Sequence, residues 1–168
     1  MSRSNAVGWI SLSILLSGGP SEGKDQAGDG LLGIPWGTSL LQMRERFALV
    51  PADSDDVCTR YTCDIRRVGG ADVEECILEF REGAFAGAAV LTRGARNTHS
   101  LLAHLRQAFG KGREESARAC QWLLNGTHLF YDEDSEGDGY VYWYSRKLFV
   151  DDVPEQRLIR RLQREEHR

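Results

Sequence analysis

Two-residue turns set between alternating apolar and polar runs most narrow what this chain can fold into. Residues 59–68, TRYTCDIRRV, alternate, meet Gly69-Gly70, and resume as ADVEECILEF over 71–80. A Gly-Gly turn accepts positive φ at both central residues, so it joins antiparallel strands in one register. That register sets Arg67 opposite Asp72, Arg60 opposite Glu79, Tyr61 opposite Leu78 and Cys63 opposite Cys76. A second turn at Glu82-Gly83 sets Phe80 against Phe85 and Leu78 against Gly87. The strand that follows, AFAGAAVL over 84–91, carries small side chains that suit a helix lying close over the sheet. The expectation is a meander of three antiparallel strands.

A third signal of this kind lies further on. Asn125-Gly126 separates Trp122-Leu123-Leu124 from Thr127-His128-Leu129-Phe130-Tyr131, and Asn-Gly is the strongest short hairpin signal. Tyr140-Val141-Tyr142-Trp143-Tyr144 is the last clear strand. Between the two strand groups, residues 98–109 read as a helix with Leu101, Leu102, Leu105 and Phe109 on one stripe and Gly110 as its stop. An earlier helix opens at Ser39, which with Gln42 has capping-box form. Leu40, Met43 and Phe47 share one face of it, and Pro51 closes it after a short exit. Helices and runs of antiparallel strands together give an α+β layer fold. The expected architecture is an antiparallel sheet, three strands plus two or three more, with two amphipathic helices packed on one face. Ser-Leu-Leu opens both helices, at 39–41 and 100–102, which points to an internal duplication.

The ends of the chain have a different character. Residues 1–21 combine Arg3, an apolar stretch from Ala6 to Leu16 and a small-residue run ending at Ser21, the composition of a signal peptide. The stretch is too short to span a bilayer, so the mature chain is expected to hold no stable membrane span. Gly18 to Lys24 has the spacing of a phosphate-binding loop. Asp25, however, stands where a Mg²⁺-binding hydroxyl must follow the lysine, and no helix begins there. Residues 22–30 read as a flexible polar linker. Residues 31–150 form the single expected domain. Residues 151–168 form a charged C-terminal helix opened by Pro154, in which Leu158, Ile159 and Leu162 make a thin apolar stripe among arginines. A net charge of −4 over 168 residues argues against a general nucleic-acid binder, which needs a concentrated basic face.

Chemistry is sparsely signalled. Cys58, Cys63, Cys76 and Cys120 are an even set in a chain with an export signal, which favours disulfides. The register pairs Cys63 with Cys76 and leaves Cys58 with Cys120. Cys58 and Cys63 lack the C-x-x-C spacing of a redox site, and no second close pair completes a zinc site. His99 and His104 fall on different faces of the second helix, with His128 in a strand and His167 in the tail; packing or solvated roles are expected. Asp132 to Asp138 has alternating oxygens and a glycine at the sixth place, like a calcium loop, but Trp143 occupies the position of the bidentate glutamate. No nucleophile elbow is present, so no catalytic residue, metal ligand or cofactor is assigned. The alternation at 140–144 puts Tyr140, Tyr142 and Tyr144 on one face, the candidate binding surface, because amphipathic aromatics are favoured at interfaces.

Ile34-Pro35-Trp36-Gly37-Thr38-Ser39 before an amphipathic helix, the Phe80-Arg81-Glu82-Gly83-Ala84-Phe85 hairpin and the Trp122…Thr127…Tyr131 strands together resemble small exported bacterial envelope domains. The likeness is to outer-membrane-assembly lipoproteins of the BamE (SmpA/OmlA) type and to beta-lactamase-inhibitor-like domains. It implies a helix layer on an antiparallel sheet, used to bind proteins rather than to catalyse. Gly19 stands where a lipoprotein would carry its acylated cysteine. The expectation is therefore a periplasmic or secreted, non-enzymatic domain with an envelope or secreted protein as partner. The alternative is a small secreted hydrolase or a calcium-dependent factor using Asp132, Asp134 and Asp138.

Overall fold

The computed structural model describes residues 30, 31 and 33–149. The expected signal peptide, the linker up to Asp29 and the C-terminal helix lie outside the described residues. Among the described residues twelve strands and two helices follow in chain order. β1 (Gly30–Leu31) and β2 (Ile34–Pro35) form a small hairpin, followed by α1 (Leu40–Arg44), β3 (Leu49–Ser54) and β4 (Cys58–Cys63). β5 (Arg67–Val68) and β6 (Ala71–Asp72) make a second small hairpin, and β7 (Glu75–Arg81) and β8 (Ala84–Thr92) lead to α2 (Ala95–Phe109). β9 (Arg113–Glu114), β10 (Ala119–Leu124), β11 (Thr127–Glu133) and β12 (Gly139–Ser145) complete the described chain.

Eight strands form one antiparallel sheet in the order β3-β4-β7-β8-β12-β11-β10-β9. With half of the structure in strands and 17% in helix, the fold is mainly β, which overturns the α+β expectation with two packed helices. The first helix is the main reason. Its capping box forms as expected, but α1 stops at Arg44 after five residues. Residues 49–54 are drawn instead into β3, a strand at the sheet edge, where Pro51 is tolerated because an edge strand need not use every N–H.

The turns place the central strands largely as expected. Arg60 faces Glu79, Tyr61 faces Leu78 and Arg67 faces Asp72. Phe80 faces Phe85, but a bulge then shifts the pairing by one, so Leu78 meets Ala88 rather than Gly87. An extra residue in one strand turns all later side chains over relative to the simple alternation. The Ile34–Ser39 motif completes the ladder beyond the end of β12. Gly37 N donates to Phe85 O at 2.8 Å, Phe85 N donates to Thr38 O at 2.8 Å, and the Trp36 ring lies 5.0 Å from that of Phe85.

Burial divides the sheet into two faces. The first carries the main core: Tyr61, Leu78, Phe80, Val90, Trp122, Leu129, Tyr131, Val141 and Trp143, with Met43 of α1 and Leu101 and Leu105 of α2. The second carries Cys58, Ile77, Ala86, Ala89, Tyr142, Tyr144 and Phe149. The small residues of β8 therefore make room on both faces. Ala88 sits opposite Trp143, while Gly87 and Ala89 lie opposite Tyr144 and Tyr142.

Candidate functional site

The second face holds the most organised polar chemistry among the described residues. Near its centre Arg60 of β4 and Glu79 of β7 are buried at 8% and 6% exposure. Arg60 Nε donates to Glu79 Oε1 at 2.5 Å, and the Tyr142 hydroxyl donates to Glu79 Oε2. Arg60 Nη2 donates to Asp55 Oδ2 at 2.8 Å, and Nη1 lies 3.5 Å from Asp53. Burial alone would lower the arginine's affinity for its proton, but the charge and hydrogen bond of Glu79, then those of Asp55, raise it further. Burial raises Asp55, yet the backbone N–H groups of Cys58 and Val57 and the Arg60 guanidinium together hold it down at about 2. Desolvation and the neighbouring Glu79 charge push the Tyr142 hydroxyl well above its ordinary value. This array fits only because residue 87 is glycine. A Cβ there would stand 2.9 Å from Tyr142 Oη and 3.1 Å from Glu79 Oε2.

Across β12 the same face is more open. His128 of β11 links Tyr144 Oη at 2.6 Å through Nδ1 and Gln121 Oε1 at 2.7 Å through Nε2. Gln121 Nε2 in turn donates to Glu115 Oε1 at 2.5 Å. Gln121, His128, Phe130 and Tyr140 are half-buried, whereas Leu123 beside His128 is 62% exposed. The second face thus has a closed half over β4, β7, β8 and β12, and an open half over β10 and β11.

The candidate tyrosines share one face, as period two dictates, and their rings follow one another at 6.4 Å and 5.5 Å. The face is not the exposed surface expected of them: Tyr142 is 2% exposed, Tyr144 8%, and Tyr140 half-buried. Alternation fixes which side a residue faces, not what lies over that side. The residues that extend this face into the open were not singled out from the sequence. Gln121, Leu123, His128 and Phe130 carried a signal in their alternation after Asn125-Gly126, but it could be read equally as packing.

The cysteines are buried and no disulfide joins them. Cys63 and Cys76 lie next to one another across β4 and β7, where a hydrogen bond between the thiols lowers Cys63 and, together with burial, raises Cys76. The expected pairing of Cys58 with Cys120 is overturned by parity. Cys58 belongs to the second face and Cys120 to the first, where its thiol points to Lys111 O at 3.4 Å.

The acidic loop is internally committed. Asp134 Oδ1 accepts from the backbone N–H groups of Glu136 and Asp138 at 2.8 Å and 2.9 Å. Asp138 Oδ1 accepts from Gly94 N at 2.8 Å, tying the loop to the residue that precedes α2, whose N-cap makes no side-chain hydrogen bond of its own; α2 starts at Ala95 rather than Thr98. Among the described residues no three acids, histidines or cysteines converge on a point a cation could occupy. His99 lies 3.2 Å from Glu133, whereas His104 packs over Gly69, so the two histidines do not meet. A cleft of about 770 Å³ opens between the β5–β6 hairpin and the start of α2. Two of its arginines are ion-paired, Arg67 to Asp72 at 3.0 Å and Arg93 to Glu74 at 3.3 Å.

Comparison with family models, curated proteins and solved structures finds no match to this chain.

Proposed function

We propose that this is an exported, non-enzymatic domain of the bacterial cell envelope that binds another protein through the open half of its second sheet face. The observation that carries the reading is Leu123, 62% exposed and directly opposite half-buried His128, with half-buried Gln121 and Phe130 as the next same-face pair along β10 and β11. An exposed apolar residue whose neighbours are locked by hydrogen bonds fits a recognition patch, since little ordering is needed on binding. Tyr144, His128, Gln121 and Glu115 form that locked chain. Asp132 and Glu115 border the patch, so the partner it fits presents an apolar knob with a basic rim. Export is supported by the composition of residues 1–21 and by the resemblance to small envelope domains.

The test is a photo-crosslinking residue placed at Leu123 in the native cell, with one at Leu41, 72% exposed on a helix of the other face, as control. A crosslinked protein seen from position 123 and not 41, and lost with Phe130→Asp, supports the reading. Equal labelling from both positions, or a Phe130→Asp variant that keeps the crosslink, defeats it. Intact mass from the same cells reports export: loss of the first 21 residues is expected, and an uncleaved chain removes the envelope assignment.

A further inference from the structure

We propose that Cys63 and Cys76 are a reactive dithiol, in which Cys63 attacks an external disulfide and Cys76 resolves the product, closing a bond across the base of the β5–β6 hairpin. The inference does not depend on the partner proposed for the open half. Geometry is its first support. Thr62 and Ile77 are the last pair of the β4–β7 ladder, so Cys63 and Cys76 stand opposite one another a single step beyond it. Opposed residues on antiparallel strands have Cα atoms about 4.5–5.5 Å apart, within the roughly 4.4–6.8 Å that a disulfide spans. Both side chains lie on the first face, and a hydrogen bond already joins the thiols. Cys63 is held on its other side by Leu49 of β3 and Cys76 by Val90 of β8, which keeps the two sulfurs together.

The two thiols are not equivalent. The Cys76 S–H donates to the Cys63 sulfur and lowers it; burial opposes this, and the Ile65 N–H assists. Cys76 is raised by the same hydrogen bond, by burial and by the charge on Cys63. Cys63 is also the more exposed, at 8% against 3%. Since the thiolate is the nucleophile, Cys63 attacks first. It bonds to one sulfur of the donor disulfide and expels the other as a thiolate. Cys63 then bears no charge, which removes two of the causes that hold the proton on Cys76. Cys76 gives that proton to the expelled thiolate, attacks the Cys63 sulfur and releases the second half of the donor. That half takes up the proton Cys63 had lost to water. Two cysteine thiols are oxidised, and one donor disulfide is reduced to two thiols.

The segment between the cysteines, residues 64–75, forms one wall of the cleft through Arg67, Asp72 and Glu74, and the start of α2 forms the other. The far end of the hairpin is already fixed to α2. Asn97 Nδ2 donates to Asp72 O at 2.5 Å, Asn97 Oδ1 accepts from Asp72 N at 2.8 Å, and Gly69 lies against the His104 ring. A disulfide between Cys63 and Cys76 fixes the near end as well. The oxidation state of the pair therefore sets how freely this wall of the cleft opens.

The experiment treats the reduced full chain with oxidised glutathione under native conditions, quenches with acid, alkylates, and reads each cysteine by peptide mass. A Cys63–Cys76 cross-link is expected, with Cys58 and Cys120 left as thiols. Cys120, raised by burial, serves as the internal reference. Cys76→Ala should trap glutathione on Cys63 about ten-fold faster than on Cys120, whereas Cys63→Ala should leave Cys76 as slow as Cys120. Amide exchange across 64–75 should slow about ten-fold once the cross-link forms, with β11 and β12 unchanged. No cross-link in the parent, or one that forms only in denaturant, would overturn the proposal whether or not the variants fold. Cys76 reacting in Cys63→Ala as fast as Cys63 in Cys76→Ala would overturn the assigned roles. A cross-link that leaves exchange across 64–75 unaltered would overturn its effect on the cleft.

Discussion

Replacing Arg60 by Met should destabilise the protein far more than replacing its partner Glu79 by Gln. The asymmetry follows from how many groups each would leave behind. Glu79 has two partners on the second face, Arg60 and Tyr142, and at 6% exposure it has almost no water to turn to. Arg60→Met therefore leaves a buried carboxylate without its counter-charge, a change that costs about 3–5 kcal/mol. That is a large part of the roughly 5–15 kcal/mol available to a domain. Glu79→Gln leaves Arg60 beside Asp55 at 2.8 Å and Asp53 at 3.5 Å. Those acids are 39% and 44% exposed, so their attraction is partly screened, but the arginine is still compensated. The glutamine oxygen can also still accept from Arg60, which limits the cost to about 1–2 kcal/mol. In the double variant no buried charge is left alone, so its cost should fall below the sum of the two singles by about 1–3 kcal/mol. Urea unfolding at pH 7, followed by tryptophan fluorescence, measures all three. An Arg60→Met cost below about 1 kcal/mol, or strict additivity, would refute the claim that the pair is desolvated.

Gly87→Ala should cost about 1–3 kcal/mol through overpacking. Because the nearest obstacle is Tyr142 Oη at 2.9 Å, chemical melts should show a smaller cost in a Tyr142→Phe background. Tyr142 and Tyr131 are both raised by burial, Tyr131 also by its hydrogen bond to Glu133. A raised acid is favoured by folding below its unfolded value, so stability should hold to about pH 10 and fall above it as the unfolded chain loses those protons first. Melts at pH 9 and 11 decide this, and no loss at pH 11 would contradict the burial of both hydroxyls. Asp55 has the opposite sign. Its folded value of about 2 lies below the ordinary 3.8, so its contribution is present above 3.8 and lost as pH falls toward 2. Asp55→Asn should flatten that part of the acid-stability curve, by no more than about 1 kcal/mol because the side chain is over a third exposed.

The positions that were legible in the sequence were those where a short turn and strict alternation act together. Arg60 opposite Glu79 and Phe80 opposite Phe85 follow from Gly69-Gly70 and Glu82-Gly83. The first register survives even though residues 64–74 leave the main sheet to form their own hairpin, because β5 and β6 pair in phase with β4 and β7. What failed depended on tertiary context. The bulge after Phe85 has no strong local signature, since an extra alanine in AFAGAAVL leaves the composition unchanged. Pro51 reads as a helix stop and becomes part of an edge strand. α2 starts at Ala95 with a glycine N-cap and no capping side chain to announce it, and alternation alone could not tell a covered tyrosine face from an open one.

Ser-Leu-Leu opens only the first of the two described helices, since α2 begins at Ala95 and Ser100 lies within it, but the sheet has a two-part plan of its own. Each half of the described chain is a helix followed by strands that meander toward the sheet centre, where β8 meets β12 antiparallel. Val90 faces Val141 at that junction, as equivalent residues must if an approximate two-fold axis passes between the strands. About this axis Cys76, which pairs with Val90, matches Tyr131, which pairs with Val141, and both are buried on the first face. The β5–β6 hairpin has Cys63 and Cys76 at its base. The second face breaks this symmetry. The first half of this face buries Arg60 and Glu79, whereas Gln121 and Phe130 of β10 and β11 in the second half are uncharged. One half thus carries charge compensated within the sheet, Arg60 against Glu79 and Asp55, while the other carries neutral side chains that tolerate water or a partner.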